Sequence, residues 1–474
     1  MKAGIFSNRK LIPFYIAITL LVLLSLNFTF FWDKDILNSR QAFWYLNYGF
    51  KLIAPEGMDS GHPPVMGLML AGLWKIFGIH LWVGHLAMLP FSIGLVWQFY
   101  RFNSYFIKSN RVFAALLLVL ADTSILTQMI ILTGDIITLF FFFLSINTIL
   151  YHKRVLLSIT LIFLAISSSR GMISCVIVGI FDIFIVLETE GRNKIIRKSL
   201  KRFLNYLPSI LIAGGYLLWH YHKTGWIGYA KNDNWAPLFK RVGIAGFTRN
   251  IFLIGWRLTD FGRLFLYLVG IWYLIKIIRA EISIDRSVRI IFGLFLISLL
   301  IFSASMLPFK GLMSHRYLLP VYAIFSTLIA YITFEKLANR KIQKTVFILL
   351  LVGLLSGNFW VYPDNIAKGW DATLAHIPYY SLRNKMINYL DTNHIPFDSV
   401  GSDVPNLSEI RYINLNSDCR HFHLKDLSKD KYVFYSNVFN MFTDNELNEL
   451  TQHWIKVKEF RFLEVRVTLY RKPE

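Results

Sequence analysis

The sequence predicts a mainly α-helical membrane protein, a polytopic helix bundle of about eleven spans with a small α/β domain at the carboxyl end. First, the 474 residues are 55% hydrophobic and 16% aromatic, with a mean hydropathy of +0.47, which is too apolar for a soluble chain of this length. Second, long apolar runs recur up to Trp360, and polar composition begins abruptly after it. We therefore expect a transmembrane domain over residues 1–361 and a soluble α/β domain over residues 362–474.

The predicted spans are runs long enough, or nearly long enough, to cross about 30 Å of hydrocarbon. They lie at residues 11–31, 81–100, 111–129, 133–151, 155–169, 171–187, 204–220, 262–279, 288–306, 316–334 and 345–361. A basic start with no small-residue cleavage site after Phe31 predicts a retained anchor. Residues 65–77 follow Pro63 and Pro64 and are too short for a full crossing, so we expect them to lie along the interface or to re-enter.

The charge distribution predicts the orientation. Residues 1–361 hold 36 Lys and Arg against 14 Asp and Glu, whereas residues 362–474 hold 14 against 15. Basic residues spread between apolar runs fit orientation signals and lipid or phosphate contacts rather than nucleic acid. Of the 36, 22 fall in six short loops that begin near Lys2, Arg101, His152, Glu188, Lys276 and Glu335. We therefore expect a multi-pass protein of the inner (cytoplasmic) membrane, with a cytoplasmic amino terminus and an extracytoplasmic carboxyl-terminal domain.

Two polar regions lie on the predicted outer face. Residues 221–262 form a basic loop that includes Lys231, which we interpret as a surface facing lipid headgroups. In the carboxyl-terminal domain, hydrophobic patterning predicts helices at residues 379–390 and 444–453 and strands at residues 399–403, 432–436 and 464–470.

Acidic residues stand at the outer ends of two predicted spans. Asp33 and Asp35 follow the first span and precede an amphipathic segment, and Asp135 follows Thr133-Gly134. A positioned carboxylate activates a hydroxyl as general base, and Asp35 or Asp33 is our candidate. The alternative is that these acids only cap helices. Asp122 is a weaker candidate for a catalytic acid or base.

Cations lie on the same predicted face. Arg316 is the best candidate for holding a phosphate, because guanidinium matches phosphate oxygens in a bidentate geometry. Its alternative role is that of a snorkelling interfacial arginine. Arg170 and His62 are further candidates for binding the phosphate. A short hairpin would tolerate Arg170 without any such role, and His62 could instead organise the turn before Pro63-Pro64. His315 is a possible addition.

Four short motifs in one order resemble the GT-C glycosyltransferases, in the branch of protein O-mannosyltransferases and aminoarabinose transferases. They are the acidic exit from the first span, Gly61-His62-Pro63-Pro64-Val65, Thr133-Gly134-Asp135, and the segment His315-Arg316-Tyr317-Leu318-Leu319-Pro320. Where the family shows Asp-Glu, this chain reads Asp33-Lys34-Asp35, so the equivalent acid stays open. The resemblance covers residues 10–335.

This resemblance implies an inverting transferase that moves a sugar from a polyprenyl-phosphate donor to a cell-envelope acceptor on the extracytoplasmic face. Asp35 or Asp33 would be the base, with Asp135 beside it. The donor phosphate would be bound by Arg316, Arg170, His62 and Tyr317. Two acids that meet at one site could also hold a divalent cation, with Asp35 and Asp135 as its ligands, but two ligands are too few to name a metal. Two other classes of function stay open. A transporter or lipid flippase would place charged residues in mid-span, and a non-catalytic scaffold would bind a partner through its soluble domain.

Overall fold

A computed structural model describes residues 9–108, 110–190, 195–230, 236–311, 313–366, 370–438 and 441–474. The predictions that rest on Lys2 and Lys231 lie outside the described residues.

Helices form most of the chain up to residue 361. They are α1 Ile12–Leu24, α2 Asp33–Asn47, α3 Val65–Phe77, α4 Leu81–Phe106, α5 Val112–Leu120, α6 Thr123–Ile130, α7 Asp135–Leu150, α8 Arg154–Ser167, α9 Ser169–Glu190, α10 Ile195–Phe203, α11 Leu207–Thr224, α12 Ile244–Thr259, α13 Leu264–Ile278, α14 Arg286–Met306, α15 Leu319–Tyr331 and α16 Arg340–Ser356. Among the described residues, five helices are long and apolar enough to cross a membrane, or up to seven if each of two bent pairs is one span. The multi-pass character is confirmed, and the count of about eleven stays a prediction.

One predicted span is broken. The run at residues 111–129 forms α5 and α6, whose axes differ by 67°. Asp122 lies at the break and caps α6, because its carboxylate accepts hydrogen bonds from the backbone N–H groups of Ser124 and Ile125 at 3.0 and 3.2 Å. A buried carboxylate that satisfies two free helix donors fixes the new helix start, so continuity of this span was a wrong prediction.

The first span is shorter than predicted. Helix α1 ends at Leu24, although the apolar run continues to Phe31. The end of the run, from Thr29 to Phe31, is buried. It packs against the carboxyl-terminal region, with the Phe31 and Tyr379 ring centroids 4.2 Å apart and those of Phe28 and Tyr380 4.4 Å apart. Aromatic packing thus uses the last residues of the run, which hydropathy alone does not distinguish from a span.

The predicted outer loop contains a helix. Helix α11 continues to Thr224, and α12 occupies a large part of residues 221–262. The side chain of Asn250 donates to the carbonyls of Leu307 and Phe309, both at 2.8 Å, and so fixes α12 to the end of α14. The interpretation of residues 221–262 as a loop was therefore wrong. Basic residues interrupt the apolar pattern of α12, so its helical periodicity was not recognised.

The carboxyl-terminal region is α/β, as predicted. Its elements are α17 Pro378–Thr392, β1 Val400–Ser402, α18 Ile410–Asn414, β2 His423–Leu424, β3 Tyr432–Ser436, α19 Asp444–His453, β4 Ile455–Phe462 and β5 Val465–Arg471. The sheet order is β2-β1-β3-β5-β4, with β1 parallel to β2 and β3, and with β5 antiparallel to β3 and β4. The five predicted elements are confirmed, while α18, β2 and β4 were missed.

This region packs directly on the amino-terminal end of α2. The indole N–H of Trp32 donates to the Tyr380 hydroxyl at 3.2 Å, and the backbone N–H of Phe30 donates to the Ile413 carbonyl at 2.8 Å. As a result, the segment before α17 reaches the acidic start of α2 and contributes a side chain there.

Candidate active site

Two predicted acids occupy the first turns of helices. Helix α2 begins at Asp33 and α7 begins at Asp135, but Trp32 and Gly134 hold the cap positions and neither helix has a side-chain cap hydrogen bond. The capping interpretation is therefore wrong for Asp33 and Asp135. Their carboxylates still gain from the positive end of each helix dipole, which stabilises negative charge in the first turn.

Arg316 lies among three carboxylates. Its Nη1 and Nη2 donate to Oδ1 and Oδ2 of Asp33 at 3.4 and 3.3 Å, a bidentate arrangement. Its Nε lies 3.9 Å from Asp135 Oδ2, and its Nη1 lies 3.8 Å from Asp371 Oδ2. The Arg316 side chain is 8% exposed, so the interpretation as a snorkelling arginine is wrong. Arg316 brings together acids that are distant in sequence.

A second arginine holds Asp135 from the other side. Arg170 donates from Nε to Asp135 Oδ1 at 3.1 Å, and its Nη2 bonds the same oxygen. The guanidinium lies over the Tyr317 ring, 4.1 Å from the centroid, and the Arg316 guanidinium is 5.6 Å from the same ring. Tyr317 thus supports both cations through its π face. Asp135 Oδ2 is buried without a hydrogen-bond partner.

Asp33 and Asp35 have opposite electrostatic environments. Burial alone would raise the pKa of Asp33, but the charge and hydrogen bonds of Arg316 lower it below its ordinary value. Burial, together with the neighbouring charge of Asp33, holds the pKa of Asp35 well above its usual range. Asp35 is 2% exposed, and its Oδ1 has no hydrogen-bond partner. Of the two acids, Asp33 therefore has the stronger preference for the ionised form.

Lys34 joins this cluster, although sequence reasoning gave it no role. Burial and the nearby charges of Arg170 and Arg316 lower the pKa of Lys34 to about 8. It lines a cavity of about 50 Å³ together with His62, Asp135 and Arg170. Its position between two acids at the start of a helix is a signal that could have identified it.

His62 also lines this cavity, where two prolines shape its loop. Its Nδ1 lies 3.4 Å from the Pro63 carbonyl, and its own carbonyl accepts a hydrogen bond from the Tyr216 hydroxyl at 3.3 Å. Burial and the charge of Lys34 lower the pKa of His62 to about 3. His62 is therefore a neutral hydrogen-bonding group at the cavity rather than a cation.

Asp371 was missed by sequence reasoning altogether. It comes from the segment before α17, accepts a hydrogen bond from the Ser314 hydroxyl at 3.2 Å, and its backbone carbonyl accepts one from Gln128 at 2.8 Å. No motif surrounds it in the sequence. Only the docking of the carboxyl-terminal region brings it to Arg316.

Two weaker candidates have other partners. His315 Nε2 lies 2.8 Å from Asp260 Oδ2. Asp122 forms an ion pair of 3.3 Å with the buried Arg263. The structure thus leaves both His315 and Asp122 in supporting networks.

Asp35 and Asp135 are the predicted ligands of any divalent ion. Among the described residues, no group of three or more His, Cys, Asp or Glu side chains has an arrangement that could hold a metal ion. The positive charges beside Asp135 in this arrangement are the guanidinium groups of Arg170 and Arg316.

Solved structures similar to the whole chain include two of ArnT from Cupriavidus metallidurans. One, bound to undecaprenyl phosphate, has a TM-score of 0.56 at 10% identity and covers 97% of each chain. The other, in the apo state, has a TM-score of 0.55 at 11% identity and covers 98% of this chain and 99% of that one. The mycobacterial arabinofuranosyltransferase AftD gives a TM-score of 0.48 at 11% identity, over 98% of this chain and 40% of that one.

No family model matches this sequence, and no curated protein matches it. The likeness to ArnT confirms the GT-C membrane fold that the four motifs predict. It spans the carboxyl-terminal region as well as the helical part, because nearly the whole of both chains is covered.

Proposed function

We propose that this GT-C-fold chain is a membrane glycosyltransferase that moves a sugar from a polyprenyl-phosphate donor to a cell-envelope acceptor. The observation that carries the proposal is the convergence of Asp33, Asp135, Arg170 and Arg316 beside one cavity. The fold it shares with an ArnT bound to undecaprenyl phosphate supports this class of donor.

The donor phosphate binds at the cavity formed by Lys34, His62 and Arg170. Lys34 and Arg170 supply positive charge, and neutral His62 supplies a hydrogen bond to a phosphate oxygen. Arg316 faces three carboxylates at 3.3 to 3.9 Å, and these repel a second anion. Arg316 therefore positions the acids. It stabilises the charge of the leaving phosphate through its electric field and does not contact the phosphate directly.

Asp33 is the general base of the reaction. The acceptor hydroxyl oxygen attacks the anomeric carbon while the bond from that carbon to the phosphate oxygen breaks. The hydroxyl proton passes to the Asp33 carboxylate, and the bonding electron pair leaves with the phosphate. Attack from the face opposite the phosphate inverts the anomeric centre. Asp33 is favoured over Asp35 because a base must be ionised before it accepts a proton.

The reaction takes place on the extracytoplasmic face. The basic loops at the opposite ends of the helices support this orientation, since short cytoplasmic loops are enriched in Lys and Arg. The carboxyl-terminal region then lies outside the cytoplasm and contributes Asp371 to the cluster. A transporter is not favoured, because the charged cluster lies at helix starts rather than in mid-span.

A donor panel tests the proposal. The purified protein in lipid nanodiscs is incubated with several polyprenyl-phosphate sugars and an envelope extract, and the release of prenyl phosphate is measured. We expect release from at least one donor, and release at least about a hundredfold slower by Asp33→Asn. Absence of release from every donor, with the folded protein verified, would contradict the proposed function.

A further inference from the structure

A second cavity lies along α9, and its lining on that helix begins at Met172, two residues after Arg170 of the acidic cluster. It measures about 450 Å³ and runs between α9 and α11, with α10 closing one end. Its wall is almost entirely apolar, and Val176, Ile180 and Ile210 line it while remaining about half exposed. The cavity is therefore a groove open to the lipid side of the bundle rather than an enclosed site.

The groove has the length of a lipid chain. Along α9 the lining runs from Met172 to Ile183, which at 1.5 Å per residue is about 16 Å. This is about half of the hydrocarbon thickness, or one leaflet. Small residues create the space, since a Cβ added at Gly214 would meet no atom within 4 Å. One extended acyl chain fits this shape.

The closed end of the groove is polar and basic. The carboxylate of Asp182 is 2% exposed and accepts hydrogen bonds from Arg154 at 2.8 and 3.0 Å and from Arg202 at 2.8 Å, so two guanidinium groups surround one acid. The hydroxyl oxygen of Ser199 is buried there without a hydrogen-bond partner. Beyond it, Glu188 is paired with Arg289 at 3.1 Å. Positive charge therefore exceeds negative charge at this end.

Helix α10 has the composition of an interfacial helix. Its nine residues include four basic and no acidic ones. Ile196, Leu200 and Phe203 are 82%, 70% and 50% exposed and recur at helical spacing, which places an apolar row toward lipid. A short amphipathic helix with Lys and Arg lies in the headgroup region of a membrane. Basic pockets between transmembrane helices at this level hold anionic lipid headgroups.

We propose that the groove between α9 and α11 is a binding site for an anionic phospholipid of the leaflet opposite the acidic cluster. One acyl chain occupies the groove, and the phosphate lies against α10, where Ser199 donates a hydrogen bond and the basic residues supply charge. The headgroup end of the site is separate from the cluster around Arg316, because Asp182 lies about 18 Å along α9 from Arg170. The acyl end of the groove begins at Met172, beside that cluster.

Matched glycine variants test the groove. Gly214→Leu places a side chain in it, whereas Gly215→Leu adds the same side chain at the next position of α11, where a Cβ also meets no atom within 4 Å and which does not line the groove. The full-length protein is titrated with phosphatidylglycerol and with phosphatidylcholine, and bound lipid is counted by native mass spectrometry. We expect one tightly bound phosphatidylglycerol, at least about tenfold weaker binding in Gly214→Leu, and no change in Gly215→Leu.

A charge variant tests the headgroup. Arg197→Gln combined with Lys201→Gln should weaken phosphatidylglycerol binding about twenty-five-fold, since each basic residue near anionic lipid contributes about fivefold. Equal affinity for both lipids, or equal binding by the two glycine variants, would overturn the proposal. So would a Gly214→Leu protein that binds phosphatidylglycerol normally but loses polyprenyl phosphate, because the groove would then hold a prenyl chain.

Discussion

Replacing Arg316 by lysine separates charge from geometry at the centre of the acidic cluster. The guanidinium contacts both oxygens of Asp33 at 3.3 and 3.4 Å and lies 3.8 to 3.9 Å from Asp371 and Asp135. A lysine ammonium keeps the positive charge but is a single point that does not reproduce the planar fork. We expect Arg316→Lys to retain one contact with Asp33 and to lose the other.

The size of the effect follows from the lost contact. A hydrogen bond between charged groups contributes about 1.5 to 3 kcal/mol. If that loss disorients Asp33 in the transition state, the transfer rate falls at least about tenfold, since 1.4 kcal/mol of barrier is a factor of ten. Thermal stability should change little, because no carboxylate in the cluster is left without a cation.

Arg316→Gln is the informative comparison. It removes the cation from three carboxylates at a site that is almost fully buried, and breaking such a pair costs about 3 to 5 kcal/mol of stability. The assay is the initial rate of prenyl phosphate release, with thermal unfolding in detergent measured on the same samples. A wild-type release rate in Arg316→Lys would refute the positioning role of Arg316.

Three further predictions follow from the cluster and the charge pattern. Asp33→Asn should lower transfer about a hundredfold to ten-thousandfold. Asp35→Asn should retain most activity, because the raised pKa of Asp35 favours the protonated form, which asparagine resembles. In the free enzyme the pKa of Lys34 is about 8, so kcat/KM for the donor should fall as the pH rises through about 8; Lys34→Arg, which stays protonated, should remove this fall. A reporter active only in the cytoplasm, fused after Glu474, should be inactive, and an active fusion would reverse the predicted orientation.

Much of the helical fold could be predicted from hydropathy, because apolar runs of about twenty residues form membrane helices with few alternatives. The errors arose where another interaction competed with hydrophobicity. Asp122 starts a new helix inside one apolar run, and the rings of Phe28 and Phe31 pack on the carboxyl-terminal region rather than in a span. The ring contacts have no signal in the local pattern, because their partners are distant in sequence. Asp122 does have one, since aspartate is a preferred N-cap residue.

The candidate site could be predicted in part. The acids and arginines share one predicted face, and the structure brings Asp33, Asp135, Arg170 and Arg316 together. Their pairing could not be predicted, because periodicity gives a side chain's face and not its partner. Asp371 was beyond reach for the same reason, since its contact with Arg316 depends on how two distant segments dock.

Whether this protein is a glycosyltransferase or a flippase is tested most directly by measuring cleavage of the sugar–phosphate bond and lipid movement together. The protein is reconstituted in sealed liposomes with a fluorescent polyprenyl-phosphate sugar and an acceptor extract. Release of prenyl phosphate and transfer of the labelled lipid between leaflets are then followed in the same sample. We expect release that depends on the acceptor and is strongly reduced in Asp33→Asn, with no increase in lipid transfer over empty liposomes. Lipid transfer between leaflets without cleavage of the sugar–phosphate bond would contradict it and identify a flippase.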